Sequence, residues 1–146
     1  MIVICNNANF NAWLTLRSAL WPTCPQEEHR AEMNEILASP HHTAFMIQTK
    51  DDAFVALAEV ALRHDYVNGC ESSPVAFLEG IYTAESARRQ GCASRLIAQV
   101  QQWAKQQGCN ELASDTDIAN LDSQRLHAAL GFSETERVVF YRKTLA

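Results

Sequence analysis

The stretch that most constrains this chain is a strand, a short turn and a helix start read in succession. The apolar run Val75-Ala76-Phe77-Leu78-Glu79-Gly80-Ile81-Tyr82 suits the centre of a sheet. After it, Arg88-Arg89-Gln90-Gly91-Cys92-Ala93 opens a segment with Ala93, Leu96, Ile97, Val100 and Ala104 on one helical stripe, and Gly108 supplies a left-handed stop after Gln107. A helix that begins at such a junction presents unpaired backbone N–H groups and the positive end of its dipole, which suits a phosphate. Gly91 places no Cβ between backbone and ligand, and Ala93 is small for the same reason. The next apolar stretch, Glu111 to Asp115, reads as a strand, so the unit implies a right-handed parallel crossover inside a mixed sheet.

The flanking residues extend this unit in both directions. Residues 2–5 read as a short strand, and Asn9 caps a helix through Trp13, Leu16, Leu20 and Trp21 that Pro22 ends. Gln26 to Ala38 reads as a more polar helix with Glu27, Glu28 and Glu32 outward, closed by Ser39-Pro40. Thr43 to Thr49 and Ala53 to Leu62 read as strands joined at Asp51-Asp52, and a polar loop from Asp65 to Pro74 carries the turn signal Asn68-Gly69. Asn120 to Leu130 is a helix stopped by Gly131, and residues 132–142 hold a last strand with Val138, Val139, Phe140 and Tyr141. The order is β-α-α-β-β-β-α-β-α-β. It predicts an α/β (α+β) chain with a mixed, mostly antiparallel sheet flanked by helices, in one domain spanning residues 1–146.

Charge and cysteine usage narrow the function. A formal net charge of −5 argues against nucleic acid as a partner. It also means that an anion near Gly91 is held by local amides rather than by the overall field, while a cationic second substrate is attracted. No apolar run approaches a membrane span, and Met1-Ile2-Val3-Ile4-Cys5 lacks the features of a secretory signal. Five cysteines, an odd number spread widely and without a C-x-x-C pair, read as reduced thiols of a cytoplasmic protein rather than a disulfide frame or a zinc site. The histidines, including the adjacent His41-His42, are no better spaced for a metal, so none is expected.

The order Arg88-x-x-Gly91-x-Ala93 resembles the pyrophosphate loop of the GCN5-related N-acetyltransferases, whose amides hold the diphosphate of acetyl-coenzyme A. Further on, the run from Asn120 to Gly131-Phe132, with a small residue at Ser123, resembles that family's second motif. The two motifs stand in the family's order and separation, and the element order is similar to the family fold from end to end. Trp13 to Pro22 is similar to the first helix of bacterial aminoglycoside 6′-N-acetyltransferases, and Ser114-Asp115-Thr116 and Gly131 to Arg137 are similar to their C-terminal region. The resemblance implies acetyl transfer from acetyl-coenzyme A to the 6′-amine of a cationic aminoglycoside, directly within a ternary complex, by a homodimer that confers resistance. The alternatives are the same fold acting on another amine, such as a polyamine or a protein N-terminus, and a non-catalytic acyl-coenzyme A sensor.

Moving an acetyl group from a thioester to an amine requires that the amine lose a proton, that charge on the carbonyl oxygen be stabilised and that the leaving thiolate be neutralised. Glu79 interrupts an apolar strand, so its carboxylate is either paired to a base or faces a cleft. The resemblance assigns it amine binding and proton acceptance through water. Asp115, at the C-terminal end of the next strand, is a carboxylate for a substrate ammonium or else a cap residue, and Glu136 joins it less directly. Trp21 and Tyr66 are candidate pocket walls, whereas Trp13 is assigned to the core. By resemblance, Ile81, Tyr82 and Thr83 run beside the pantetheine arm, Arg88, Arg89, Gln90, Gly91, Cys92 and Ala93 hold the diphosphate, and Asn120 touches the coenzyme besides capping its helix. His127 stands where many family members have the tyrosine that protonates the thiolate. Histidine also donates a proton, so His127 is the candidate acid, unless it only covers a helix surface and leaves the role to water.

Overall fold

The structure is a computed structural model that describes residues 1–146. Its frame is one five-stranded sheet in chain order: β1 (Ile2–Ile4), β2 (His42–Gln48), β3 (Phe54–Arg63), β4 (Val75–Thr83) and β5 (Leu112–Ser114). Neighbours are antiparallel except β4 and β5, which run parallel through the crossover read from the sequence. Two helices precede β2, α1 (Phe10–Leu20) and α2 (Gln26–Ala38), followed later by α3 (Cys92–Gln106) between β4 and β5 and α4 (Leu121–Ala129) after β5.

The sheet separates two cores. On one face the stripe of α3, with Leu96, Ile97, Val100 and Ala104, packs on Phe45, Ala56, Ala58, Val60 and Leu78. On the other face Trp13, Leu14 and Leu16 of α1 and Met33 of α2 pack on Ala44, Met46 and Leu57. The alternation of small and large residues along β3 thus feeds both faces at once, as a central strand must.

Two expectations are corrected. Asn9 holds the N-cap position of α1 but its side chain makes no capping bond there; Asn6 caps a 3-10 turn at Asn7–Asn9, and the Asn9 side-chain oxygen accepts from the Asn6 backbone amide at 2.8 Å while its side-chain nitrogen donates to the Ile4 carbonyl. The two asparagines form a reciprocal capping box, so the Asn9 oxygen is already occupied by the Asn6 amide. The second correction concerns the last strand: residues 132–146 form none, so the sheet has five strands and not six. Val139, Phe140 and Tyr141 are 75%, 89% and 91% exposed. Such a segment becomes a strand only against a partner, and no strand of this chain pairs with it.

Candidate active site

The β4–β5 ladder ends at the pair Leu78–Ser114, whereas β4 continues to Thr83 paired with β3 alone. From Glu79 onward, one backbone edge of β4 therefore stands open. The gap widens into a cleft of about 910 Å³ lined by residues 78–83 of β4, the turn before α3, Ser114 to Asp117, and Asn120 and His127. A buried sheet rarely leaves N–H and C=O groups unpaired, so this edge invites an extended polar ligand to complete the ladder.

At one end of the cleft lies the start of α3. Arg89 and Gly91 both take left-handed backbone conformations, with φ of 63° and 78°, and Gly91 is the residue immediately before the helix. None of the amides from Arg89 to Ser94 donates to a protein acceptor. Arg88 folds back, its Nε donating to the Thr83 carbonyl at 3.1 Å, and the turn rests on a 3-10 turn at Glu85–Ala87 that the sequence pattern did not reveal. A run of free amides converging at a helix N-terminus fits a diphosphate. The chain thus fits the anionic donor that the resemblance implies.

The other end of the cleft is acidic. Glu79 is the extra residue of a β-bulge, since Glu59 pairs with Gly80 while Val60 pairs with Leu78. The bulge reverses the alternation of β4: Leu78 and Ile81 pack toward α3, whereas Tyr82 packs with α1 and α2. Glu79 and Gly80 therefore both face the α1 side. The Glu79 carboxylate meets Arg63 Nη2 at 3.0 and 3.2 Å, half-exposed on both sides. Glu79 lines this cleft and also an adjoining cavity of about 710 Å³ that receives Glu28, Glu32 and Glu35 from one face of α2. Of the residues expected to point outward from α2, Glu28 and Glu32 thus form an acidic wall with Glu35, which the sequence reading did not include, and Glu27 stays outside it; the 4- and 3-residue spacing of Glu28, Glu32 and Glu35 was the signal for the wall. Trp21 lines both cavities, and its indole sits directly over Gly80.

Trp21 is held from behind by a buried polar network. Glu59 Oε2 accepts from Trp13 Nε1 at 2.8 Å and from Arg17 Nε at 2.9 Å, and Arg17 reaches Glu32 at 2.6 Å. Arg17 Nη1 donates to His29 Nδ1 at 2.9 Å, which leaves Nε2–H of this fully buried ring to donate to the Trp21 carbonyl at 3.2 Å. Burial pushes the Glu59 carboxyl above the ordinary carboxylate range, against the pull of the Arg17 guanidinium. The Arg17 guanidinium also covers the Trp21 ring, 4.8 Å from its centre. No sequence period reveals this network, because its members come from α1, α2 and β3.

Asp115 is exposed at the end of β5 and lines the cleft, as do Ile81, Tyr82, Thr83, Arg88, Arg89, Cys92 and Ala93. Gln90 belongs to the same turn but is not part of the lining. Asn120 caps α4 by accepting from the Ser123 amide at 3.1 Å. His127 Nε2 lies 2.8 Å from Ser114 Oγ, a residue the sequence reading did not single out. Two candidates lie elsewhere within the single chain. Tyr66 is 76% exposed on the β3–β4 loop, and Glu136 sits on the exposed C-terminal segment; neither lines the cavities. Trp13 is fully buried, as a core tryptophan.

Residues 11–132 match the model of the acetyltransferase (GNAT) family. The chain is 82% identical over 145 residues to the aminoglycoside N(6′)-acetyltransferase type 1 of Serratia marcescens, covering 99% of both. It is 50% identical over 138 residues to the protein of the same name from Salmonella typhimurium, covering 94% of both. Among solved structures it is similar to AAC(6′)-Iy in complex with the bisubstrate analog CoA-S-monomethyl-acetylneamine, at 48% identity and a TM-score of 0.94, with 99% of this chain and 98% of that one covered. AAC(6′)-IG from Acinetobacter haemolyticus, without ligand, gives a TM-score of 0.96 at 40% identity over 100% of this chain and 99% of that one. With a free-amide turn, an opened strand edge and relatives that align from end to end, the chain belongs to the acetyltransferase (GNAT) family.

Proposed function

We propose that residues 1–146 form one N-acetyltransferase domain that moves the acetyl group of acetyl-coenzyme A to the 6′-amine of aminoglycosides, and so confers resistance to them. The observation that carries this reading is a single cleft with free amides at one end and carboxylates at the other. The amides from Arg89 to Ser94 take the diphosphate, and the open edge of β4 at Ile81, Tyr82 and Thr83 pairs with the amide-bearing arm that follows it. The thioester then lies where β4 and β5 part. The substrate ring lies against Trp21, and its ammonium groups meet Glu79 and Asp115, with the wall of Glu28, Glu32 and Glu35 beyond. Each ammonium that leaves water needs such an acceptor. Glu79 accepts the amine proton through water, the Ile81 amide donates to the thioester oxygen, and His127 supplies the acid for the thiolate. Both substrates bound side by side suffice for direct transfer, because positioning alone removes much of the barrier.

The exposed segment from Val138 to Tyr141 supports a homodimer in which each copy's C-terminal segment pairs with the other. The free cysteines support a cytoplasmic location. No helix is long and apolar enough to cross a membrane. The deciding experiment measures coenzyme A release with kanamycin, spermidine and a peptide N-terminus as acceptors. Kanamycin should be turned over with the highest kcat/KM; equal or better turnover of spermidine or the peptide overturns the substrate, and no release with any acceptor overturns the enzyme.

A further inference from the structure

Ser114 and His127 meet at the end of the gap between β4 and β5, and their hydrogen bonds determine where the protons sit. His127 Nδ1 lies 2.7 Å from the Ser123 carbonyl, with the Ser123 hydroxyl further off at 3.4 Å. A carbonyl only accepts, so Nδ1 carries a proton. Ser114 Oγ lies 3.2 Å from the Leu78 carbonyl and 2.8 Å from His127 Nε2. Its one proton cannot serve both. When Ser114 donates to Leu78, Nε2 must hold its own proton and donate it to Ser114, so His127 is an imidazolium. When His127 is neutral, Ser114 turns to Nε2 and the Leu78 carbonyl loses its donor. The hydroxyl therefore follows the charge on the ring. The acid form makes one more hydrogen bond; of the acids lining the same cleft, Glu79 is paired to Arg63 and Asp122 to Arg125, while Asp115 and Asp117 stand at the end of β5, with Arg88 and Arg89 toward the α3 turn.

We propose that Ser114 is a catalytic residue that passes the proton of His127 to the departing thiolate. This rests on His127 being the acid of the reaction. Leu78–Ser114 is the last β4–β5 pair, so the hydroxyl stands where the strands part, and both side chains line the cleft. As the carbon–sulfur bond breaks, sulfur keeps the electron pair and takes the proton of the Ser114 hydroxyl. Ser114 Oγ in turn takes the proton of Nε2. The products are a thiol, a serine hydroxyl that donates to Nε2, and a neutral histidine, which is the second arrangement described above. The proton that Glu79 takes from the amine passes on through water to Nε2, so Glu79 is again a carboxylate and the cycle balances without another reactant.

The test compares Ser114→Ala, Ser114→Thr, His127→Gln and the double variant Ser114→Ala/His127→Gln in single-turnover acetyl transfer to kanamycin. Affinity for acetyl-coenzyme A, measured by calorimetry, serves as the check on folding and binding. Ser114→Ala and His127→Gln should each slow transfer by at least about tenfold, the lower end of what a lost general acid costs. The double variant should be no slower than the worse single one by more than about twofold, since two members of one relay fail together. Ser114→Thr, which keeps the hydroxyl, should restore the rate. A proton inventory in mixed H2O and D2O should be curved for the natural protein and linear for Ser114→Ala. Without any substrate, 15N NMR of the histidine rings, assigned with His127→Gln, should show the proton on Nδ1 and a displaced Nε2 signal in Ser114→Ala. If His127→Gln is slow while Ser114→Ala keeps full rate, the relay is overturned and His127 acts alone. If the two losses multiply, Ser114 acts apart from His127 and the relay is again overturned. If His127→Gln keeps full rate, the acid assignment falls and the relay with it.

Discussion

Replacing Gly80 by alanine tests the geometry of the site more sharply than removing any charge. A Cβ on Gly80 would stand 2.6 Å from Trp21 Cζ2, 2.7 Å from Leu20 Cδ2 and 2.8 Å from Trp21 Cη2. Carbon atoms rest about 3.5–4.0 Å apart, so the indole must retreat by about 1 Å. It has little freedom to do so. Its ring is covered by Arg17, and its carbonyl is bound to the buried His29. β4 resists moving away as well, since it pairs with β3 from Val75 to Thr83. Forcing a methyl into such a site costs about 1–3 kcal/mol. For a chain of this size that lowers Tm by about 2–4 °C per kcal/mol. Because Trp21 lines both cavities, kcat/KM for the aminoglycoside should fall about tenfold, equivalent to about 1.4 kcal/mol. Affinity for acetyl-coenzyme A should hold, because the amides from Arg89 to Ser94 do not touch Trp21. Thermal unfolding and steady-state kinetics on Gly80→Ala, Trp21→Ala and the double variant give the check. With the indole gone, only the Leu20 methyl, the end of a flexible side chain, still meets the new Cβ, so Gly80→Ala should do less further harm. An alanine that leaves Tm and kcat/KM unchanged, or whose effect persists undiminished without Trp21, would refute the packing argument.

Four other outcomes are expected. Glu79→Gln and Asp115→Asn should each lower kcat/KM for aminoglycosides by at least about tenfold with acetyl-coenzyme A affinity retained, and added salt should depress the natural protein more than either variant. Gly91→Val should weaken acetyl-coenzyme A binding in calorimetry while the fold survives, because a β-branched residue resists the φ of 78° that the turn requires. Deleting residues 137–146 should convert a dimer into a monomer in light scattering, whereas a natural protein that already scatters as a monomer removes the arm-exchange reading. Glu111 accepts from the Ser72 hydroxyl and from the Glu71 and Ser72 amides, which hold its carboxyl below the ordinary range. A carboxyl lowered on folding stabilises at pH above its unfolded value and loses that contribution as pH falls through the folded value. Glu111→Gln should therefore lower Tm at neutral pH, and the gap should close in acid.

The parts of the fold legible in the sequence are those set by local period and local stops. The helix from Gln26 to Ala38 falls on its expected bounds, and the crossover from β4 through α3 to β5 follows from one apolar run, one stripe and two glycines. The segment around Val138 to Tyr141 has the side chains of a strand and still forms none in the single chain. β-propensity records that a segment fits a sheet; it carries no information on which edge receives it. A partner edge is a property of the assembly, and the pattern of one chain cannot contain it.

The site shows the same division at finer grain. Glu79 is conspicuous in the sequence as a carboxylate in an apolar strand, and Gly91 as a glycine before a helix. The bulge that turns Gly80 to the same side as Glu79 is invisible there. By strict alternation from Leu78, Glu79 would face α1 and Gly80 would face α3. Register with β3 instead leaves one residue of β4 unpaired, so both face α1, and the bare Gly80 gives the Trp21 indole its seat beside the carboxylate. A single extra residue thus brings an acid and an aromatic wall together at the place where β4 loses its second neighbour. Separately, the parallel β4–β5 ladder ends at Leu78–Ser114, and the Ser114 hydroxyl stands against His127. Ser114 is unremarkable in the linear pattern, because only the parting of β4 and β5 and the packing of α4 set its hydroxyl against His127.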